Sequence, residues 1–264
     1  MRYLRGFSLP AYFWLFIAYL FAPILVMAAM GLRDSAFIAF PITKWTTHWY
    51  ADMVFDREML SALVLSARVA VLSTLIALAV GLPTALLLTR TRGVMRAILV
   101  AIVVMPAFLP VVVSSIALRM FISRLGIEPG TAAIVFGHAA GSTPFVAVMA
   151  LTRLDSMGHN LADAARDLGA DEVIVFVRVV LPWLAPALFG AFMFCLLLSF
   201  EDFVRSFFLG GFEPTFPVLL FAKLRFGLNP GIAAISTMVL FTTMALGLYA
   251  ERFTRRRRLR RDDQ

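Results

Sequence analysis

The sequence is poor in cysteine and in charge, and each shortage excludes a class of protein. A single cysteine, Cys195, stands among 264 residues, so neither a disulfide framework nor a cluster of cysteine metal ligands is available. Charged residues make up 15% of the chain, whereas a soluble globular domain carries about a quarter. The composition therefore argues against a soluble domain.

Motifs for catalysis and nucleotide binding are also missing. There is no G-x-x-x-x-G-K-[ST] loop to hold phosphates, and the only lysines are Lys44 and Lys223. There is no H-E-x-x-H metal motif, and the three histidines, His48, His138 and His159, are scattered along the chain. We predict no catalytic residue, no metal site and no cofactor bound by this chain, so we do not expect an enzyme.

Hydrophobic residues make up 61% of the chain and fall in long runs. A helix of about 20 apolar residues crosses a bilayer. We predict an all-α integral membrane protein whose six transmembrane helices form one domain over residues 1–264. The predicted spans cover residues 11–31, 61–89, 97–123, 131–152, 183–210 and 229–251. Two prolines in the third span, Pro106 and Pro110, are expected to kink or interrupt it.

The net charge of +8 indicates contact with a membrane surface rather than with nucleic acid. Seven arginines lie between Arg252 and Arg261, directly after an apolar run, and Arg90, Arg92 and Arg96 follow the second span. Basic residues accumulate on the cytoplasmic side of membrane proteins. We therefore predict that both termini are cytoplasmic, that the lipid bilayer is a partner, and that nucleic acid is not.

A long polar interruption divides the second half of the chain, within a predicted cytoplasmic loop over residues 153–182. Leu161, Ala164 and Leu168 recur at the spacing of one helical face, which predicts a short helix. Gly169 stands where a helix end favours positive φ, and Asp171 is suited to cap a second helix. Pro182 is expected to stop that helix or bend it into the fifth span.

These residues resemble the EAA loop of the permeases of binding-protein-dependent ABC importers, and we name residues 161–182 the EAA-like segment. The matching positions are Asp163, Ala164 and Ala165 for Glu-Ala-Ala, Gly169 for the family glycine, and Leu181 and Pro182 for the Leu-Pro ending. In that family the first short helix is the coupling helix, which docks into a groove on a cytoplasmic ATPase. The alternative is an ordinary amphipathic helix lying on the membrane surface.

The resemblance implies the type I ABC importer permease fold, with the coupling helix between helices 4 and 5. It also implies a second, homologous permease subunit, and it favours a heterodimer. Two copies of an ATPase subunit would use ATP, and a periplasmic or extracellular protein would bind the substrate. The expected location is the bacterial plasma membrane. Under this hypothesis ATP is consumed by a partner, because this chain has no nucleotide motif.

Charged residues in or beside the fifth span mark a second place of interest. Glu201, Asp202 and Arg205 lie in or near an apolar run, and charges within a membrane usually face a bundle interior or an aqueous path. Glu201 and Arg205 are four residues apart, the spacing of a pair on one helical face, so they could simply neutralise each other. On that geometry Asp202 is left over and would suit a cationic substrate. His138 in the fourth span is expected to be a hydrogen-bonded contact between helices.

The region after residue 199 is similar to the spermidine/putrescine permease subfamily. Glu201 and Asp202 match its acidic pair, and residues 47–53 resemble its T-x-W-Y stretch. The resemblance implies polyamine transport, with amines attracted by the two acids and Trp49 as a cation–π wall. Val111 stands where the subfamily commonly has an acid, and Gly231 where it has Glu.

Other functions are kept as alternatives. Related permeases carry ferric iron, thiamine, phosphonates or sugars, and the missing acid at Val111 leaves these substrates open. A secondary transporter driven by an ion gradient would favour inverted repeats and a relay of paired acids. No clear repeat is visible, and the EAA-like segment would have no purpose there. A membrane-embedded enzyme is opposed by the lack of a catalytic constellation.

Overall fold

The computed structural model describes residues 2–35, 42, 44–227 and 229–262. Throughout these residues the regular structure is helical, apart from an isolated antiparallel bridge between Arg33 and Trp45. The chain divides into two compact units. One unit combines Met1–Leu60 with Leu220–Gln264, and the other is Ser61–Leu219.

The helices follow the predicted apolar runs, with short helices between them. In chain order they are α1 (Arg2–Met30), α2 (His48–Phe55), α3 (Arg57–Thr89), α4 (Gly93–Phe108), α5 (Val111–Arg124), α6 (Thr131–Asp155), α7 (His159–Asp167), α8 (Glu172–Val175), a π-helical turn (Phe176–Val180), α9 (Leu181–Phe200), α10 (Phe203–Leu209), α11 (Phe216–Leu224) and α12 (Pro230–Asp262).

Four helical stretches in the described residues are long and apolar enough to cross a membrane, and a bent pair would make a fifth. The four are Leu9–Met30, Arg57–Thr89, Thr131–Asp155 and Glu172–Phe200. The apolar part of α12, Pro230–Ala245, is shorter. The side chains of the basic tail beyond Arg252 lie outside the described residues.

The bent pair is α4 and α5, whose axes meet at 98°. The residue before a proline avoids the helical region, and Leu109 before Pro110 is extended, at φ −72° and ψ 137°. Its N–H still bonds to the carbonyl of Pro106, so α4 ends in a closed turn. The interruption predicted for the third span is therefore confirmed and lies at Leu109–Pro110.

The unit of residues 61–219 has its core along α6, which carries a buried residue on almost every turn. At one end of α6, Ile134 packs with Val69 and Leu209, and at the other, Leu154 packs with Leu184. Between them small residues such as Cys195 allow close approach of α9. Helix α6 is thus the central element of this unit.

The other unit is built from α1, α2 and α12, which pack on one another. Gly31 at the end of α1 lies so close to the backbone of Ala234 that an added Cβ would approach its nitrogen to 2.9 Å. The Tyr50 hydroxyl donates to the carbonyl of Ala28 at 3.3 Å. In the same unit Lys223 Nζ donates to Glu58 Oε2 at 2.7 Å.

The helix that contains the predicted fifth span has other ends than that span. The helical stretch begins at Glu172 rather than at residue 183, and it runs through Pro182 without a stop. A π-helical turn at Phe176–Val180 precedes the proline. Since proline has no N–H to give to the carbonyl four residues earlier, the extra residue of a π-turn accommodates it, and the helix continues.

The helix also ends before the end of the predicted span. Helix α9 ends at Phe200 rather than at residue 210, and the separate helix α10 follows after a break at Glu201–Asp202. The predicted external stretch after residue 210 contains a further helix, α11, in which Phe216 and Leu219 are buried.

Candidate functional site

The EAA-like segment folds as a helix, a glycine turn and a second helix. Gly169 has φ +87°, a conformation that residues with a Cβ adopt at a cost. The N–H of Gly169 bonds to the Arg166 carbonyl at 2.8 Å and that of Ala170 to the Ala165 carbonyl at 3.1 Å. This pair of hydrogen bonds forms a Schellman motif, which ends α7. The prediction of positive φ at Gly169 is confirmed.

The second helix of the segment begins with a side-chain cap. Asp171 Oδ1 accepts a hydrogen bond from the Ile174 N–H at 2.7 Å, as the sequence predicts. Such a cap satisfies one of the donors that the first turn of a helix leaves free. The turn between α7 and α8 is thus fixed at both ends by local hydrogen bonds.

Helix α7 leaves its apolar face uncovered. Leu168 is 89% exposed and Leu161 50% exposed, and Ala164 between them is also exposed. An apolar strip on a short amphipathic helix normally packs on its own chain or on a partner. Asp163 stands on the polar side, with its carboxylate 65% exposed.

Arg166 joins the two sides of the glycine turn, and the sequence reasoning did not foresee this role. Its guanidinium donates to Glu172 Oε1 at 2.9 Å and to Asp163 Oδ1 at 2.7 Å. The hydrogen bond to Glu172, followed by its charge, raises the pKa of Arg166 above the ordinary value. Arg166 is therefore a permanent cation that links α7 to α8.

A second clamp joins the end of α6 to the start of α9. Arg153 Nε donates to the Trp183 carbonyl at 3.1 Å, and Trp183 Nε1 donates to the Arg153 carbonyl at 3.2 Å. The guanidinium carbon also lies 4.0 Å from the centre of the indole ring. The Leu181-Pro182 ending of the EAA-like segment therefore directly precedes a fixed point of the fold.

A cavity of about 870 Å³ opens beside the EAA-like segment. Its wall includes the ends of α3 and α6, the start of α4, and parts of α7 and α8. Arg96 and Asp155 form an ion pair across it, and Arg90 and Arg92 line it as well. The basic cluster after the second span thus lies on the same side of the unit as α7.

The acidic pair lies at the break between α9 and α10, and its pairing differs from the prediction. Asp202 Oδ1 accepts the N–H of Arg205 at 2.9 Å and so caps α10, while Asp202 Oδ2 accepts from the Arg205 guanidinium. The predicted Glu201–Arg205 pair is wrong, because α9 ends at Phe200 and helical i,i+4 spacing no longer applies.

The remaining acid is Glu201. Its side chain is exposed, and its carboxylate has no partner in the part of the chain that the structure describes. Asp202, which was predicted to have no partner, is the acid that pairs with Arg205, and its side chain is only 10% exposed. The carboxylate that is free to meet a ligand is therefore that of Glu201.

His138 lies in the core, 2% exposed. Its Nδ1 is 2.7 Å from Ser199 Oγ, and its Nε2 is 3.2 Å from Ser206 Oγ. Ser199 Oγ is in turn 3.0 Å from Ser73 Oγ. We call these four residues the His138 cluster. The prediction of a hydrogen-bonded contact between helices is confirmed.

Trp49 belongs to the other unit, on α2. Its indole N–H donates to the carbonyl of Arg33 at 2.9 Å, and its ring centre is 4.3 Å from that of His48. The N–H is thus occupied within the chain. No group of three His, Cys, Asp or Glu side chains arranged to hold a metal ion occurs among the described residues.

Matches of this chain to a family and to two curated relatives agree with one another. Residues 73–258 match the family described as binding-protein-dependent transport system inner membrane component. The putrescine transport system permease protein PotI of Escherichia coli (strain K12) is 29% identical over 242 residues, which cover 88% of this chain and 85% of PotI. The spermidine/putrescine transport system permease protein PotC of the same strain is 28% identical over 257 residues, covering 96% and 95%.

A solved structure has the same fold. It is a chain of a bacterial ABC transporter involved in the import of the acidic polysaccharide alginate. The TM-score is 0.77 at 16% sequence identity, and the match covers 95% of this chain and 96% of the other. At this identity the likeness concerns the fold alone.

Proposed function

The chain belongs to the inner membrane components of binding-protein-dependent transport systems, and from this premise we propose that it forms half of the translocation path of an ATP-driven polyamine importer. It is a permease subunit rather than an enzyme, as its relatives are. The observation that carries the coupling part of the proposal is the uncovered apolar face of α7, followed by the Gly169 turn.

Helix α7 acts as the coupling helix. Leu161, Ala164 and Leu168 enter a groove on the ATPase, and Asp163 faces its polar rim. Burial of exposed leucines contributes about 25 cal/mol per Å² of apolar surface removed from water. Docking on the ATPase would therefore be favourable, because it removes the exposed apolar face of α7 from water.

The rest of the EAA-like segment transmits the movement. Ala165 and Gly169 form the closed end of α7, and Leu181 and Pro182 lead into α9, next to the clamp between Arg153 and Trp183. A displacement of α7 therefore pulls on α6 and α9 together. ATP binding closes the two ATPase subunits, this movement opens the path outward, and hydrolysis resets it. Such a cycle is alternating access between two states.

The assembly contains further chains. A second, homologous permease completes the path, two ATPase subunits bind ATP on the cytoplasmic side, and an external binding protein delivers the substrate. The exposed apolar surfaces of the helices meet lipid or the second permease. The partner ATPase subunits supply the energy by using ATP.

The proposed topology has six spans with both termini in the cytoplasm. Besides the four long helices, this topology requires that the bent pair α4–α5 and the shorter apolar part of α12 each cross the membrane. In this topology two spans, α4–α5 and α6, separate the arginines after α3 from α7. Both features therefore lie on the same side of the membrane, which is cytoplasmic by the positive-inside rule. This is the side on which ATP is available.

The proposed substrates are putrescine and spermidine. Support comes from the relatives PotI and PotC, whose names state these substrates. Glu201 at the α9–α10 break attracts an amine group, and Asp202, paired with Arg205, shapes the break. Trp49 contributes an aromatic wall to the path. It offers the face of its ring, because its N–H is hydrogen-bonded to the carbonyl of Arg33.

Two other possibilities bear on the same chain. An importer of ferric iron, thiamine, phosphonate or another small solute would keep every coupling feature and change only the role of Glu201. A secondary transporter driven by ions would leave the uncovered face of α7 without a purpose.

The test is uptake of labelled putrescine and spermidine by cells that contain the whole transporter, compared with cells lacking only this chain. We expect ATP-dependent uptake that disappears with the chain. Labelled thiamine and ferric iron serve as controls. An assembled transporter whose ATPase responds to the binding protein, yet which takes up neither polyamine, would reject the substrate and keep the importer.

A further inference from the structure

Helix α10 lies in a groove made by two glycines of α6. An added Cβ at Gly137 would lie 2.2 Å from Leu209 Cδ1, and one at Gly141 would lie 2.7 Å from the Arg205 guanidinium carbon. Gly137 and Gly141 are four residues apart, as are Arg205 and Leu209, so one face of α10 meets one face of α6. Small residues at this spacing let two helices approach closely.

His138 stands between these glycines and fastens both ends of the nearby break. Through Nδ1 it contacts Ser199, two residues before Glu201 in α9. Through Nε2 it contacts Ser206, four residues after Asp202 in α10. The acidic break is therefore held from both sides by one imidazole ring.

The hydrogen bonds of the cluster have a consistent direction. We assign the proton of Ser73 Oγ to the carbonyl of Ala70, 3.2 Å away, so that Ser199 Oγ donates to Ser73 Oγ. Ser199 then has no proton left for His138, and Nδ1–H donates to Ser199. A neutral ring accepts at Nε2 from Ser206. Every hydroxyl proton and both ring nitrogens are used, which is the condition for a buried polar network to be stable.

We propose that His138 is a positioning residue for substrate transfer: together with Gly137 and Gly141 it fixes α10, holds Arg205 on Asp202, and leaves Glu201 as the acid that meets the substrate. The geometry couples the two acids to one helix contact, since Arg205 lies against Gly141 and bonds to Asp202. The part that concerns the substrate rests on the proposed function, while the part that concerns α10 stands on the contacts alone.

Two conservative variants separate positioning from simple loss of packing. In His138→Gln the side-chain amide reaches about as far as Nε2 and can still accept from Ser206, so α10 stays fastened. In His138→Asn the amide reaches about as far as Nδ1 and meets Ser199 only, so α10 is released. The matched control is Thr143→Ala, five residues further along α6, whose hydroxyl bonds only to the Ala139 carbonyl of its own helix.

The first measurement is hydrogen–deuterium exchange of residues 201–209 in the assembled transporter, and it needs no substrate. We expect faster exchange in His138→Asn, and exchange close to the unchanged protein in His138→Gln and Thr143→Ala. Equal exchange in all four proteins would overturn the positioning of α10.

The second measurement is the KM of putrescine uptake per assembled transporter. Loss of one buried hydrogen bond costs enough to change KM by about two- to tenfold, and we expect that increase in His138→Asn and a smaller one in His138→Gln. An unchanged KM beside faster exchange would make His138 structural only and overturn the inference. Absence of polyamine uptake by the unchanged transporter would instead reject the proposed substrate, and the exchange data would still decide the positioning of α10.

Discussion

The EAA-like segment and the His138 cluster both interrupt apolar sequence with polar groups, but they differ in burial and in the kind of bond. In the EAA-like segment, Arg166 and its two carboxylates are between 43% and 72% exposed and form ion pairs. In the cluster, His138 and Ser199 are buried and form hydrogen bonds without any charge.

This difference follows from the cost of removing each group from water. Exposed charges are hydrated before and after they pair, so a surface ion pair adds little and its partners can separate. A buried hydroxyl or imidazole has no water to return to, so a lost partner costs its full desolvation. The exposed region is suited to change its contacts when an ATPase docks, and the buried region is suited to hold one geometry.

Of the two regions compared, the buried cluster is expected to show the larger effect on stability. Ser199→Ala leaves His138 Nδ1–H without an acceptor and Ser73 without its donor, at a cost of about 1–3 kcal/mol. Ser114→Ala is the control, because that hydroxyl bonds only to the Val111 carbonyl of its own helix. Thermal unfolding of the purified chain in detergent measures both. Equal losses in the two variants would contradict the contrast between buried and exposed regions.

The next effect is expected at the glycine turn. Alanine at Gly169 must adopt φ near +87°, which costs roughly 1–2 kcal/mol, and we expect α7 to reorient and transport per ATP hydrolysed to fall. Gly158→Ala is matched to it, since Gly158 precedes α7 at φ −57° and an added Cβ would have no other heavy atom within 4 Å. ATPase activity and uptake in vesicles measure the coupling ratio. The docking role fails if both variants transport alike, or if Gly169→Asp transports normally.

The smallest effect is expected at the exposed ion pair. Arg166→Gln should change uptake by no more than about twofold, as for other surface pairs. The double variant Arg166→Glu with Glu172→Arg restores the attraction across the glycine turn but places a carboxylate beside Asp163, so it should recover part of the lost uptake. A large loss in Arg166→Gln that the double variant does not repair would show that Arg166 contacts the ATPase itself.

Local signals in the sequence predicted part of this picture well. The Gly169 turn, the Asp171 cap and the break at Pro110 each depend on the backbone preference of one residue, which acts within a few neighbours. Because these preferences do not depend on tertiary packing, the structure agrees with all three predictions. The contact of His138 with other helices also followed from its residue type within an apolar span.

The remaining features depend on where helices end and on which helices meet. The pairing of Asp202 with Arg205 requires α9 to stop at Phe200, and the two acids that follow Phe200 in the sequence do not show whether the helix ends there or continues. The course of the chain through Pro182 required a π-turn that periodicity does not reveal. The contact of Gly137 and Gly141 with α10 is set by tertiary packing, which the sequence analysis did not address.

The most direct test of the account compares Glu201→Gln with Asp202→Asn in putrescine uptake, with the amount and thermal stability of the assembled transporter measured alongside. We predict that Glu201→Gln raises KM about tenfold or more, the value of one charge-assisted hydrogen bond, and leaves assembly unchanged. Asp202→Asn keeps a capping side chain but loses the ion pair, so it should lower stability by about 1.5–3 kcal/mol with a smaller change in KM. The reverse pattern, with KM dependent on Asp202 and stability on Glu201, would contradict the assignment of the two acids.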